Sequence, residues 1–96
     1  MDILPVAASS LAAASTATAV RAQNIVNVAT PGYTAAAPVY ASVLNGGVAV
    51  FAQDVGQPVN LALEIVGLKA ALEQYKTAAT LVESAVDLNR ATLQIV

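Results

Sequence analysis

The chain has 96 residues, enough for one domain, and 57% of them are hydrophobic. Alanine accounts for 22 residues and buries little area apiece, so the core is expected to be thin and a partner to complete it. A net charge of −2, only four Lys and Arg, and no cysteine or histidine exclude disulfides, thiol chemistry and the usual zinc, copper and haem ligands, and argue against a basic nucleic-acid surface.

Arg21 is the only charged residue between Ile3 and Gln53. The run Leu4 to Val20 is uncharged, but it is mostly Ala, Ser and Thr and lacks the Leu/Ile/Val content of a stable membrane span. Ala17-Thr18-Ala19 has the look of a signal cleavage site, yet the segment before it carries Asp2 rather than a basic cluster. The run reads instead as a helix from Leu4 to Ala29, with Pro5 tolerated in its first turn. Leu4, Ala8, Leu11, Ser15, Thr18, Ala22, Ile25 and Ala29 alternate by four and three and share one face of small residues. Thr30 precedes proline, which disfavours helical dihedrals there. Pro31-Gly32 suits the centre of a type II turn, with Gly32 at positive φ.

Residues 30–59 form the turn and a short insert. Pro38 to Leu44 and Val48 to Ala52 flank Asn45-Gly46-Gly47, and Asn-Gly between apolar β-formers signals a hairpin. Gly56 and Pro58 then break the chain again.

A second helix is expected over residues 60–95, with Asn60 as its N-cap, Glu64 favouring the positive end of the macrodipole and Arg90 the negative end. Leu61, Leu68, Tyr75, Val82, Asn89 and Val96 make one row, and Ile65, Leu72, Ala79, Val86 and Leu93 another. Together they form a heptad seam, polar only at Asn89, and a sustained 3.5-residue period asks for a supercoiled partner along its length. Glu64, Lys69, Glu73, Lys76, Glu83, Asp87 and Arg90 lie off this seam, Lys69 and Glu73 are spaced to pair, and Tyr75 reads as core filler. The helices would be about 39 and 55 Å long. The fold class is therefore mainly α: an antiparallel, coiled-coil-like two-helix hairpin with a short β-hairpin or irregular insert, in a single domain spanning residues 1–96.

Catalytic chemistry is not indicated. Without histidine the serines lack a base, and no Glu-x-x-His pair exists for a di-metal bundle. Glu83 and Asp87 share a face at i,i+4 and read as a solvated acidic surface. Gly46-Gly47 is too short to cradle a phosphate. No enzyme, cofactor or metal site is expected.

Two blocks carry a resemblance. Asn24-Ile25-Val26-Asn27-Val28-Ala29-Thr30-Pro31-Gly32-Tyr33 resembles the "NIAN…TPGY" signature of the flagellar rod and hook axial proteins, and the segment from Ser9 to Gln23 is similar to their N-terminal helix. Val59 to Leu68 resembles the "VDLAEEMVNLI" start of their C-terminal helix, Tyr75 falls at the tyrosine of "RAY", and Ala85-Val86-Asp87 falls near "TADEM". Where that family has "AQRAY", this chain has Ala71-Leu72-Glu73-Gln74-Tyr75, with an acid in place of the arginine.

The resemblance implies a structural subunit of the bacterial flagellar basal body rod, most like a reduced proximal-rod protein. Such a subunit is exported without a cleaved signal through the flagellar type III apparatus, and its terminal helices assemble into a tubular axial structure that serves motility. Its partners would be other rod subunits and itself, with neither nucleic acid nor membrane insertion involved. The expected assembly interface is Leu61, Ile65, Leu68, Leu72, Tyr75, Val82, Val86 and Leu93, with Leu11 and Ile25 opposite; Asn24, Asn27, Pro31, Gly32 and Tyr33 form the signature turn. The alternative is a small soluble helical adaptor or scaffold that holds a partner helix in a groove.

Overall fold

A computed structural model describes residues 3–95. Helix α1 (Ile3–Val26) is followed by strands β1 (Ala36–Ser42) and β2 (Val48–Asp54), and helix α2 (Leu61–Ile95) closes the chain. The helices are antiparallel: Arg21, near the end of α1, meets Glu64, near the start of α2. The whole measures 60 × 24 × 14 Å. Its radius of gyration is 16.5 Å, against about 12.5 Å for a compact domain of this length. The mainly helical hairpin with a β-hairpin insert agrees with the sequence.

Helix α1 ends earlier than its alanine content suggests, at Val26 rather than Ala29. Asn27 ends it. Its side-chain nitrogen donates to the Gln23 carbonyl at 2.9 Å, its carbonyl accepts from the Thr30 N–H at 2.9 Å, and its Oδ1 accepts from the Thr30 hydroxyl at 3.1 Å. These bonds satisfy groups that a helix end leaves open. The chain then turns at Pro31-Gly32, where Tyr33 N–H donates to the Thr30 carbonyl and Gly32 has φ 77°. This is the turn expected from the sequence.

The strands pair antiparallel from Ala36↔Asp54 to Ser42↔Val48, around a single 3₁₀ turn at Leu44–Gly46 with Gly46 at φ 87°. β1 is shifted two residues toward the N-terminus of the expected Pro38–Leu44, with Leu44 in the turn rather than the strand, and β2 starts at Val48 as expected but runs on past Ala52 to Asp54. At their open end, Val55 N–H donates to Ala35 O and Ala35 N–H to Gln57 O.

Helix α2 begins as its cap predicts. Asn60 Oδ1 accepts from Leu63 N–H at 3.2 Å and the Asn60 carbonyl accepts from Glu64 N–H at 3.0 Å. Its last residues, 87–94, are all exposed. Val96, assigned to the seam from the sequence, lies outside the described residues.

The core is built of alanine: Ala7, Ala13, Ala14, Ala17, Ala35, Ala71, Ala78 and Ala85, with Val20. Ala13 and Ala14 stand 100° apart on a helix, so α1 is covered on two sides, by α2 and by the hairpin. The face expected for α1 is therefore displaced. Ala8 and Ser15 are exposed, while Leu4, Leu11, Thr18, Ala22 and Ile25 flank the buried rows. A helix squeezed between two neighbours puts its smallest residues at the closest approach and its larger ones beside them.

Asp54 secures the exit from β2. Its carboxylate accepts from Gly56 N–H at 2.7 Å and from the Thr34 hydroxyl at 3.0 Å. The Gly56 bond chiefly, then the Thr34 bond, lowers its pKa below 3.8. A depressed folded-state pKa means that this stabilisation is complete above the unfolded value and lost as pH falls through the folded one. An NMR titration of the Asp54 carboxyl is expected to show a midpoint below 3.8, and the Thr34→Ala variant should move it back upward.

Candidate functional site

Among the described residues, the end of α1 carries that helix's one fully buried polar side chain, Asn24. Ala17, Val20 and Asn24 follow helical three-four spacing, so Asn24 continues the buried row and is itself 0% exposed. A polar side chain in that place must find partners, and Asn24 fills both its donors and both lone pairs of its oxygen. Its Nδ2 donates to the Ala36 carbonyl at 2.7 Å and to Glu64 Oε2 at 2.9 Å. Its Oδ1 accepts from the Ala36 N–H at 3.0 Å and from the Tyr33 hydroxyl at 3.2 Å. The amide thus grips both backbone groups of one strand residue, as a neighbouring β-strand would.

Glu64 reaches this amide from the first turns of α2 and is 3% exposed. Arg21 Nη1 donates to both of its oxygens at 3.2 Å. Gly67, one turn after Glu64, admits the arginine: a Cβ there would stand 2.5 Å from Arg21 Nε and 2.8 Å from its Cζ. One carboxylate, one guanidinium, one amide and one phenol therefore join α1, α2, the turn and the root of β1. Among the described residues no buried side-chain nitrogen or oxygen lacks a partner, and no group of three acidic side chains could hold a metal ion. The chemistry of this cluster is positional: it ties four segments at one point.

The heptad pattern places Glu64 off the seam with the exposed charges, but the structure buries it in the helix contact. It belongs to the buried row Glu64, Ala71, Ala78 and Ala85, which keeps the seven-residue period but lies one residue ahead of the expected Ile65, Leu72, Ala79 and Val86 row. The phase shifts because α1 presents alanine, and alanine set against alanine lets two helices approach closely. The larger residues of the expected seam flank that contact. Leu68, Ala79, Val82 and Val86 are half-buried, and Leu61, Ile65, Leu72, Asn89 and Leu93 are exposed, Ile65 to 52% and Leu93 to 76%. Tyr75 is no core filler, being 42% exposed. With Ser15, Thr18 and Leu72 it borders an open groove of about 260 Å³. Leu11 and Ile25 are half-buried on α1.

In the signature turn only Asn24 is buried. Asn27 and Tyr33 are half-buried, and Pro31 and Gly32 are exposed. The remaining charges of α2 are exposed as expected, but Glu73 pairs with Lys76 at 3.8 Å rather than with Lys69. No local pattern in the sequence pairs Arg21 with Glu64. The available signal is the isolation of Arg21, since the lone charge in an otherwise uncharged stretch from Ile3 to Gln53 demands a counter-charge on the helix that packs against it.

Glu64→Ala is expected to destabilise the chain by about 3 kcal/mol, because it strands a largely covered guanidinium and one Asn24 donor; urea denaturation measures it. Gly67→Ala in the intact chain should lower stability, as the displaced arginine outweighs the gain of about 1 kcal/mol in helix propensity. In an Arg21→Ala background the same change should stabilise by roughly that gain, and this reversal of sign is read from a double-mutant cycle.

By length and mean hydropathy α1 would suffice to cross a bilayer, and here it is packed between α2 and the hairpin. No family model and no curated protein sequence matches the chain.

Proposed function

We propose that this chain is a structural subunit of the bacterial flagellar basal body rod and that it works by assembly rather than catalysis. The observation that carries the reading is the uncovered apolar stripe of α2. Leu61, Ile65, Leu72, Tyr75 and Leu93 run along nearly the whole helix, and the chain's own fold leaves them exposed. The accessible surface is 6408 Å², against about 5,100 Å² for a compact monomer of this mass. The excess exceeds the area of roughly 800 Å² that one partner contributes to a standard protein interface. A slender rod with a long apolar flank fits a subunit set side by side with others in a tube.

The "NIAN…TPGY"-like block supports the same reading. Asn24 and Tyr33 join the cluster that aligns the two helices, while Asn27, Pro31 and Gly32 send the chain out into the hairpin. Such a subunit pairs with other axial subunits and with itself by head-to-tail contacts. It travels unfolded through the type III apparatus without a cleaved signal, into the part of the basal body that spans the periplasm. A thin alanine core and the absence of cysteine suit a chain that must be unfolded for export.

Ile65→Lys with Leu72→Lys is expected to change the melting temperature of the isolated chain little, since both positions are exposed. The pair should abolish incorporation into rods and hence motility. Mass spectrometry of purified basal bodies should find the wild-type chain. Intact rods and normal swimming after deletion of the gene, with no trace of the chain in basal bodies, would overturn the proposal in favour of the adaptor.

A further inference from the structure

The two edges of the β-hairpin are treated differently. Val55 N–H→Ala35 O at one end and Val43 N–H→Gly47 O at the other bracket the ladder. By the alternation of antiparallel pairing, odd-numbered residues of β1 and β2 bond to each other and even-numbered residues turn their N–H and C=O outward. On β1 the outward groups of Ala36 are both taken by Asn24, and the next outward position is Pro38, which has no N–H. On β2 the Val48 N–H is taken by the Ser9 hydroxyl at 3.0 Å. Val50, Ala52 and Asp54 follow, and among the described residues no side chain or loop caps their outward backbone groups. β1 keeps only Tyr40 and Ser42 open, at its tip beyond the proline, whereas β2 offers three consecutive open positions.

A groove of about 260 Å³ lies between α1 and the start of this edge, lined by Ser9, Ala12, Thr16, Val48 and Val50 among others. Its helix wall carries only small side chains, and none of these lining residues is charged. Residues 51–54 of β2 are all exposed. These are the features of a site that accepts one added strand.

We infer that the open edge of β2 pairs with β2 of a second copy of this chain, antiparallel and centred on Ala52, to form a four-stranded sheet across a twofold axis. The sequence of the edge is self-complementary in that register. Ala52 faces its twin, Asp54 faces Val50 and Phe51 faces Gln53, so no two like charges are opposed. On β1 only Tyr40 and Ser42 stay open beside the closed Ala36 and Pro38, a shorter edge than that of β2, so pairing through β2 is favoured and that contact closes as an isologous dimer. An unrelated extended peptide would fit the same backbone, but only a second copy makes the pairing symmetric. The dimer is a state of the free subunit and stands whether or not the chain builds a rod.

Sedimentation equilibrium of the full-length chain, from micromolar to millimolar concentration, tests this. The expected result is a monomer–dimer equilibrium that persists in the Leu72→Lys variant and so does not use the α2 stripe. Ala52→Pro removes an outward N–H and no ladder bond, and should raise the dissociation constant about tenfold or more, equivalent to about 1.4 kcal/mol. In the wild type, hydrogen exchange at Val50 and Ala52 should slow as concentration rises, which decides the matter if the proline variant fails to fold. A wild-type chain that stays monomeric to millimolar concentration, a dimer that survives Ala52→Pro, or exchange at these amides that ignores concentration overturns the inference.

Discussion

One amide side chain fixes the register of the whole helical hairpin. Asn24 holds both backbone groups of Ala36 and shares the Glu64 carboxylate with Arg21. The need for such a fixture follows from the helix contact itself. Ala71, Ala78 and Ala85 repeat every seven residues along α2. Sliding α1 by one heptad, so that Val6, Ala7 and Ser10 took the places of Ala13, Ala14 and Ala17, would still set small residues against these alanines, since such a seam carries little information about position. A slip of that size would separate Arg21 from Glu64 and leave both charges covered and unpaired, at a cost of several kcal/mol. The polar cluster adds little net stability over a well-packed apolar replacement; what it supplies is a single alignment, the best-attested use of a polar group in a helical seam.

That alignment decides what the rest of α2 can do. Close approach of the helices requires alanine at the contact, so the larger aliphatic residues of the 3.5-residue pattern are displaced to its flank. One periodic sequence thereby serves two faces a residue apart: a narrow alanine row that closes the hairpin, and a wider row of leucine, isoleucine and tyrosine left to solvent. A bulkier α1 would have drawn Leu72 and Ile65 inward and left a monomer with less surface for neighbours. The thinness of the core and the exposure of the stripe are thus one fact seen from two sides, and the elongated 60 Å shape follows from both.

Much of this architecture is legible in the sequence because its signals are local. Asn60 caps α2, Pro31-Gly32 makes the turn, and Asn45-Gly46-Gly47 places the hairpin loop; each rests on backbone chemistry that needs no knowledge of the partner. The heptad period was legible too, but its phase was not. Hydrophobic size ranks Leu72 above Ala71, whereas burial here is decided by what α1 can offer across the gap. The same blindness hid Glu64, which local rules assign to the helix dipole and which tertiary contact recruits into the core. A sharper signal was available in the row Glu64, Ala71, Ala78, Ala85, all small after the first, and in Gly67 one turn beyond Glu64, an otherwise unfavourable residue inside a long helix.

The two asparagines of the junction divide one task. Asn24 receives the returning chain, and Asn27 makes the return possible by stopping the helix. Had α1 continued to Ala29, as its composition allows, three more helical residues would have carried the chain about 4.5 Å further along the axis before it could turn. Tyr33 and Ala36 would then leave the helix end too far on to reach back to residue 24. The spacing is therefore a geometric condition: the stop at Val26, the reversal at Gly32 and the strand start at Ala36 must follow Asn24 at these intervals for its four hydrogen bonds to form together. Helix termination alone would accept any capping residue at position 27 and asks nothing of position 24. The requirement at position 24 comes from the strand and from α2, and this is why the block reads as a unit although its residues serve different elements.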